Sequence, residues 1–252
     1  MTLQEIIDGC RDQARDDGAN DVDRLWNDEE MVRYINRIQR RIARETLCLK
    51  DATTAAVCVL TLTPVDYTTY VSGTLDYIWA NDSASPLYQK DVTPYLVDLH
   101  DSILEIEEVK SLTFTNRLRK VSSQKWRNHL QWEQFITQPT EYATDLAHKK
   151  IAFKGRSLTV QEMQMTVKRL PLVDLDIATP TGVPEIPVNY HDFFHNGVME
   201  RMYRKQDAET LDKAKADEYK ELFLDDLDEI KRQERIILND YIAVNNSLSA
   251  FR

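Results

Sequence analysis

The sequence predicts an α+β fold in which N- and C-terminal helices form a helical bundle around an inserted antiparallel β region. Three observations predict this class: apolar residues keep helical spacing near both ends, the middle holds short β-branched runs between turn residues, and a proline-rich segment follows them. Two distant helical ends must pack on each other to bury their apolar faces, so the β region becomes an insertion.

Four regions follow from this pattern. Residues 1–50 form the N-terminal part of a helical body, 51–185 the inserted β-rich region with its linker, 186–238 the C-terminal part of the body, and 239–252 a C-terminal tail. The chain has 252 residues, 42% of them hydrophobic, which is enough for one large core or two small ones. With 6 Gly and 8 Pro, collagen-like and disordered classes are excluded.

Two helices are predicted in the first fifty residues. Thr2 and Glu5 form a capping box, and apolar residues at helical spacing follow: Leu3, Ile6, Ile7, Cys10 and Ala14. Asn27 and Glu30 make a second capping-box candidate, with this apolar face: Met31, Tyr34, Ile35, Ile38 and Ile42. The other face of the second helix carries five arginines: Arg33, Arg37, Arg40, Arg41 and Arg44. Such a face is either solvated or in contact with an acidic neighbouring subunit.

The middle of the chain predicts short strands at 55–62, 65–71, 75–79, 87–92, 102–114, 140–146, 149–153 and 157–170. Ile103, Ile106 and Val109 are the expected inward positions of the fifth. Gly155 and Arg156 predict a hairpin turn between the last two strands. Residues 122–132 predict a short helix capped by Ser122 or Ser123.

Helices return after a linker at 171–187. Asn189 is the expected cap of a helix whose apolar face is Phe193, Phe194, Val198 and Met202. Asp207 is the expected cap of a longer helix with these apolar positions: Leu211, Ala214, Leu222, Phe223, Leu227 and Ile230. Beyond Arg235, the apolar residues are Tyr241, Ile242, Val244, Leu248 and Phe251. Too little chain surrounds them to bury them, which is typical of a segment that folds on a partner.

Charge is distributed unevenly along the chain. The net charge of −10 is not that of a general nucleic-acid binder. Residues 110–169 nevertheless hold 12 Lys or Arg against 4 Asp or Glu, so this segment carries +8 and the remainder −18. The two regions are either solvated surfaces of opposite sign or parts of a functional contact.

The cysteines and the apolar runs indicate the compartment. Cys10, Cys48 and Cys58 are odd in number and form no C-x-x-C pair, so we expect buried reduced thiols without disulfides or zinc. Residues 1–11 show no signal pattern, and no apolar run approaches the roughly 18 residues of a membrane span. We therefore expect a soluble protein made in a reducing cytoplasm, without membrane contact.

Motifs for catalysis are weak. His191 and His195 would share one helix face, as a zinc site on a helix requires, but the two phenylalanines between them favour a helix packed in a core. Glu105 and Glu107 would lie about 7 Å apart on one side of a strand, a spacing compatible with glycoside hydrolysis, but nothing in the sequence supplies a sugar groove, and a solvated strand face explains them better. Neither a Gly-rich phosphate loop nor a G-x-S-x-G elbow occurs. We expect no catalytic, cofactor or metal site and hence no enzyme.

Two tryptophans, Trp126 and Trp132, lie close to a basic cluster formed by Arg117, Arg119, Lys120, Lys125 and Arg127. Aromatic and cationic side chains together can bind single-stranded nucleic acid. A tryptophan on a short amphipathic helix more often belongs to the core. Both interpretations fit the sequence.

Several stretches carry a family pattern. They are Trp26 to Glu30 leading into Val32, Ile35 and Asn36, then 103–106, 132–142 and 169–171, and finally 184–187, Tyr190-His191, 203–210 and 223–231. On these residues the chain resembles the head-to-tail adaptor (connector) proteins of short-tailed phages. The segment 57–91 is longer than the pattern of that family.

The resemblance implies a structural virion protein of the neck or tail. Such adaptors form a ring, usually of twelve copies, under the portal, extend the DNA channel and give tail or nozzle proteins a docking site. The implied partners are the portal, tail proteins and further copies of the chain, while DNA passes without specific binding. Twelve copies at −10 would place on the order of −120 charges around the channel, and an acidic lumen would repel DNA.

The resemblance also implies that the tail reaches the portal. The expected contacts with the portal or a neighbouring subunit are Tyr241, Ile242, Val244, Leu248, Phe251 and Arg252, together with Arg117, Arg119, Lys120, Lys125 and Arg127. Two alternatives remain: another neck, tail-completion or gatekeeper protein, and a metal-dependent hydrolase that uses His191 and His195.

Overall fold

The computed structural model describes residues 1–16, 24–62, 95–114, 116–127, 138–154, 159–206 and 211–249, with side chains of the last helix described to residue 237. The helices are Leu3–Ala14 (α1), Asp28–Thr46 (α2), Ala55–Cys58 (α3), Ser123–Arg127 (α4), Phe194–Tyr203 (α5) and Lys213–Ser249 (α6). The strands are Lys50–Asp51 (β1), Val59–Leu62 (β2), Tyr95–Asp98 (β3), Ile103–Ser111 (β4), Arg119–Lys120 (β5), Glu141–Ala143 (β6), Lys150–Lys154 (β7) and Gln161–Arg169 (β8). The predicted α+β class is confirmed.

The chain divides into two compact units. The helical unit is Met1–Lys50 with Lys168–Arg252, and the β unit is Asp51–Val167. Residues 168–185, which hold most of the proline-rich segment, therefore group with the helices.

Capping side chains define where the first two helices begin. The hydroxyl of Thr2 accepts from the backbone N–H of Glu5 at 3.3 Å, and the Glu5 carboxylate accepts from the N–H of Thr2 at 2.8 Å. The predicted capping box is thus confirmed. At the start of α2, the side chain of Asn27 accepts from the N–H of Glu30 at 2.8 Å. Each cap satisfies backbone donors that the first helical turn leaves without a partner.

Helices from both ends of the chain share one core. Its buried side chains include Ile6, Ile7, Cys10, Met31, Ile35, Ile38, Ile42, Phe194, Val198, Met202, Phe223, Leu227 and Ile230. Gly197 of α5 lets three helices approach closely, since an added Cβ there would lie 2.9 Å from the Phe223 ring and 3.0 Å from Ile38. The indole N–H of Trp26 donates to the carbonyl of Met202 at 3.0 Å, which joins the two ends of the chain further.

The starts of the C-terminal helices differ from the prediction. Asn189 does not cap α5, because it lies inside a 3-10 helix, Val188–Phe193, that runs directly into α5. Asp212 caps α6, accepting from the N–H of Lys215 at 3.1 Å. The predicted cap, Asp207, lies outside the described residues.

The inward face of α6 also differs in part. Phe223, Leu227 and Ile230 are buried as predicted. The core positions predicted at Leu211, Ala214 and Leu222 are wrong, because all three side chains are exposed. Buried Ala216 and half-buried Tyr219 complete the packed face instead.

The proline-rich segment has no helix or strand between 170 and 187, yet side chains hold it in place. The amide of Asn36 on α2 donates to the carbonyl of Leu175 and accepts from its N–H, both at 2.8 Å. The carboxylate of Glu185 accepts from the N–H groups of Leu172 and Val173 at 2.7 and 2.9 Å. These bonds satisfy backbone groups that no helix or strand pairs, and the N–H groups of Leu3 and Gln4 add backbone bonds to the carbonyls of Gly182 and Pro180.

The β unit contains two four-stranded sheets. One has the order β1-β8-β2, with β4 also paired to β8, and the other has the order β3-β7-β6-β5. The pairs β2–β8, β3–β7 and β6–β7 are antiparallel, as predicted. The pair β5–β6 is parallel, so the prediction of an antiparallel region is wrong for it.

Apolar side chains from both sheets form one core. It contains Val57, Cys58, Leu62, Ile103, Ile106, Val109, Leu118, Tyr142, Ile151, Phe153, Met163, Met165 and Val167. The inward positions predicted at Ile103, Ile106 and Val109 are confirmed. A small second cluster forms around the fully buried Trp126 of α4, with Ala143 of β6 and Ala152 of β7.

Some predicted elements of the β unit differ from the structure, and others lie outside the described residues. The strand predicted at 55–62 is wrong in its first half, where Ala55–Cys58 forms one helical turn before β2. A helix does start after Ser122, whose hydroxyl accepts from the N–H of Gln124 at 3.3 Å. The predicted strands at 65–71, 75–79 and 87–92 and the Gly155-Arg156 turn lie outside the described residues.

Candidate interaction surfaces

Helix α6 continues past the core on which it packs. Ile230 is its last buried side chain among those described, and Glu234 makes a further contact by accepting from the Tyr190 hydroxyl at 2.8 Å. Ile236 and Ile237 are then 53% and 58% exposed. The backbone stays helical from there to Ser249, a distance of about 20 Å at 1.5 Å per residue. A long helical segment therefore follows the packed part.

Four of the six predicted tail contacts lie on this segment. Tyr241, Ile242, Val244 and Leu248 belong to the helical backbone of α6, and the helical period places positions 237, 241, 244 and 248 on one face. Phe251 and Arg252 lie outside the described residues. The structure thus brings most of the predicted anchors onto a single helix.

The arginine face predicted on α2 splits into two kinds of residue. Arg33, Arg37, Arg40 and Arg44 are exposed. Arg41 is half-buried and bonds to Glu45 at 2.7 Å and to buried Glu200 at 3.4 Å, with its guanidinium 5.0 Å from the centre of the Phe223 ring. Arg41 therefore belongs to the packing of the helical unit, whereas the other four form a surface.

The predicted basic cluster in the β unit is engaged mostly within the chain. Arg117 pairs with Glu108 at 2.7 Å, and Arg119 pairs with Glu141. Lys120 lies 3.5 Å from the carbonyl of Ile106. Lys125 is exposed on α4, and the side chain of Arg127 lies outside the described residues.

Glu141 organises this part of the β unit, a role that sequence analysis missed. Its side chain is only 8% exposed and receives Arg119, the indole N–H of Trp126 at 3.1 Å and Lys154 at 3.6 Å. The hydrogen bond from Arg119, with help from the other two groups, lowers the pKa of Glu141 to about 2. Trp126 is completely buried, which confirms the core interpretation for this residue, while Trp132 lies outside the described residues.

The two histidines occupy different surroundings. His191 is buried, with Nε2 at 2.7 Å from the carbonyl of Ile186 and Nδ1 at 3.0 Å from the amino nitrogen of Met1. Burial lowers the pKa of His191. His195 lies against Gly9 of α1, and its Nδ1 is 3.2 Å from the carbonyl of Asp192. Within the described ranges, no group of three or more His, Cys, Asp or Glu could hold a metal ion.

The remaining candidate residues are two exposed carboxylates and three buried thiols. Glu105 and Glu107 are exposed on β4, while Cys10, Cys48 and Cys58 are buried free thiols, as predicted. Burial raises the pKa of Cys10 to about 12 and that of Cys48 to about 11, so neither is a reactive thiolate. A pocket of about 270 Å³ in the β unit is lined by Ser111, Phe114, Asn116, Arg117, Gln138, Pro139, Thr140 and Gln161.

Exposed helix faces that carry one sign of charge are surfaces that a partner of opposite charge could bind. A family model described as SU10 adaptor protein matches residues 1–244. The chain therefore belongs to the SU10 adaptor protein family, which confirms the resemblance to phage head-to-tail adaptors seen in the sequence. It is a structural component of the phage particle. A search of curated proteins finds no match. Among the described helices, none has the length and apolar character needed to span a membrane.

Proposed function

We propose that this adaptor forms a ring, of twelve copies in line with the family resemblance, under the portal of the phage head. The ring extends the DNA channel and offers a docking site to tail or nozzle proteins. The observation that carries this proposal is the extension of α6 to Ser249 when its last described buried side chain is Ile230. A helix that continues past its last described buried side chain is suited to reach a partner.

The segment from Ile236 onward is the proposed portal contact. Ile236 and Ile237 already expose more than half of their surface, and the helical period continues their apolar pattern through Tyr241, Val244 and Leu248. An apolar helix face gains free energy when it enters a groove of a partner, because that surface leaves water. Ile242, Phe251 and Arg252 belong to the same proposed contact.

The charged surfaces have proposed roles in the ring. The basic residues Arg117, Arg119, Lys120, Lys125 and Arg127 remain the proposed contact with an acidic surface of the portal or of a neighbouring subunit, because the side chains of Arg117 and Arg119 stay 78% and 66% exposed although each is paired within the chain. Part of the acidic excess faces the channel and repels DNA, so that DNA passes without specific binding. Both roles rest on the ring arrangement.

Binding to the portal of the same phage tests the proposal. We expect the full chain to bind the purified portal and a chain that ends at Arg235 to lose that binding. The shortened chain keeps every described buried residue of α6, so its fold should persist. Circular dichroism and thermal unfolding check that it does.

Two paired substitutions sharpen this test. Ile236→Ser with Ile237→Ser should weaken portal binding, whereas Leu222→Ser with Leu224→Ser, on exposed positions of the same helix, should not. Full-strength portal binding by the shortened chain would contradict the proposed contact. Binding to tail components but not to the portal would favour a tail-completion or gatekeeper protein instead.

A further inference from the structure

Helix α2 carries a continuous basic stripe, Arg33, Arg37, Arg40 and Arg44, which we call the arginine stripe. At about 100° per residue, the stripe lies opposite the buried face of the helix. Arg40 is bonded to Asp174. For Arg33, Arg37 and Arg44, no hydrogen bond or ion pair to another described residue is found.

Helix α6 carries a stripe of the opposite sign: Asp217, Glu218, Glu221, Asp225 and Asp228, all exposed, which we call the acidic stripe. It also lies opposite the buried face of its helix, the one formed by Phe223, Leu227 and Ile230. Asp217 pairs with Arg204 and Asp228 with Lys231. Glu218, Glu221 and Asp225 make no hydrogen bond or ion pair within the described part of the chain.

The two stripes match in length as well as in sign. Positions 33 to 44 and positions 217 to 228 are each separated by eleven residue steps along a helix, about 16 Å. Like charges three or four residues apart destabilise an isolated helix slightly, and a facing stripe of opposite charge removes that penalty. Each stripe therefore has the geometry and the charge to complement the other.

We infer that the arginine stripe of one subunit binds the acidic stripe of a second copy of this chain. The inference rests on the proposed ring and identifies the surfaces through which its subunits meet. Because the two faces differ, the contact is head-to-tail, the kind that generates rings when the rotation closes. A nucleic acid would match the arginine stripe alone and leave the acidic stripe of equal length without a partner.

Charge reversal tests this contact with complementary variants. Arg37→Glu with Arg44→Glu takes the formal charge of the arginine stripe from +4 to 0, and Glu221→Lys with Asp225→Lys takes that of the acidic stripe from −5 to −1. We expect each variant alone to assemble about tenfold more weakly than wild type at low salt, because the attraction between the stripes is lost and the introduced charges face side chains of the same sign. In a 1:1 mixture the introduced glutamates of one variant can face the introduced lysines of the other, so assembly should return, as sedimentation velocity with and without the portal would show.

A control of equal charge change uses exposed lysines that flank the acidic stripe without belonging to it. Lys213→Glu with Lys220→Glu changes the charge of α6 beside the acidic stripe, and this variant should assemble as wild type does. Cross-linking then checks proximity directly. A copy with Arg37→Cys mixed with a copy with Glu221→Cys should give a covalent dimer with a short bis-maleimide, since the three natural cysteines are buried.

The outcomes separate this inference from the proposed function. If wild type forms a ring on the portal and both reversed variants assemble equally well, the stripe contact is wrong and the adaptor ring stands. If wild type forms no ring, the proposed ring fails, and cross-linking with rescue in the mixture decides the stripe contact by itself. Loss of DNA binding in the arginine variant with unchanged assembly would overturn the inference in favour of a nucleic-acid contact.

Discussion

Arg119 of the β unit and the open arginines of helix α2 in the helical unit are used in different ways. In the β unit, Arg119 is tied to nearly buried Glu141, which also binds Trp126 and Lys154. In the helical unit, Arg37 and Arg44 are exposed and make no ion pair within the described ranges. Charges paired inside the chain stabilise the fold, whereas like charges left open along a helix are available to a partner. The sign of a residue alone does not reveal which of these roles it has.

The largest expected effect on stability concerns the core of the helical unit. Phe223 is fully buried beneath Arg41 and close to Gly197. We expect Phe223→Ala to lower the free energy of unfolding by about 3–5 kcal/mol, because it leaves a cavity among α2, α5 and α6. Chemical denaturation measures the loss, and hydrogen exchange should locate it in those helices while β7 and β8 keep their protection.

The neighbouring position on the same helix is the control. Leu222 is exposed, so Leu222→Ala should change the free energy of unfolding by no more than about 0.5 kcal/mol. Equal losses for the two variants would contradict the inward face assigned to α6.

A smaller effect is expected at the charge network of the β unit. Glu141→Gln leaves Arg119 and Lys154 without their shared carboxylate and should cost about 1–3 kcal/mol at pH 7. The pKa of Glu141 is about 2 in the folded chain against an ordinary value of 4.5, so its stabilisation is complete above pH 4.5. That stabilisation is lost as the pH falls toward 2.

The pH dependence of the difference is the measurement. The stability gap between wild type and Glu141→Gln should therefore shrink between pH 5 and about pH 2. A gap that stays constant over this range would mean that the carboxylate charge does not hold the network. Other acidic groups titrate in both proteins, so their contributions largely cancel in the difference.

The proline-rich segment provides the next prediction. Asn36→Ala removes both hydrogen bonds to Leu175 and should cost about 1–2 kcal/mol, because the freed backbone groups are half-buried. Thermal unfolding measures the loss. Arg40→Ala, which removes an exposed pair with Asp174 in the same segment, should cost at most about 1 kcal/mol. A larger loss for Arg40→Ala than for Asn36→Ala would show that the surface pair, and not the asparagine, holds the segment.

The smallest effect on folding is expected for the arginine stripe. Arg37→Glu with Arg44→Glu should shift the free energy of unfolding by no more than about 0.5 kcal/mol, since both side chains are exposed and glutamate is a good helix former. Thermal unfolding of the unassembled subunit checks this. Substantial unfolding would show that these arginines stabilise the subunit itself and would remove the contrast between the two units.

Local signals in the sequence predicted much of the helical unit. The capping box at Thr2 and the helical period of α1 and α2 identify both elements, because caps and periodicity act within one helix. The inward face of α6 was predicted only in part, since apolar residues such as Leu222 and Leu224 lie outside its packed face and tertiary contacts select which ones are buried. The single turn of α3 is too short to show a helical period.

Among the candidate surfaces, some features follow from local sequence and others depend on tertiary contacts. The arginine face of α2 follows from spacing alone, and so does the run of apolar positions at the end of α6. The pairing of Arg119 with Glu141 could not be predicted, because it depends on the parallel pairing of β5 with β6 across 22 residues. The separate role of Arg41 likewise depends on contacts with α5 and α6, which come from a distant part of the chain.

Native mass spectrometry of the purified chain, alone and mixed with the portal of its own phage, tests the central claim most directly. We expect mixing with the portal to give a complex whose mass equals that of the portal plus a ring of adaptor copies. A chain whose mass is the same with and without the portal would contradict the proposed adaptor ring.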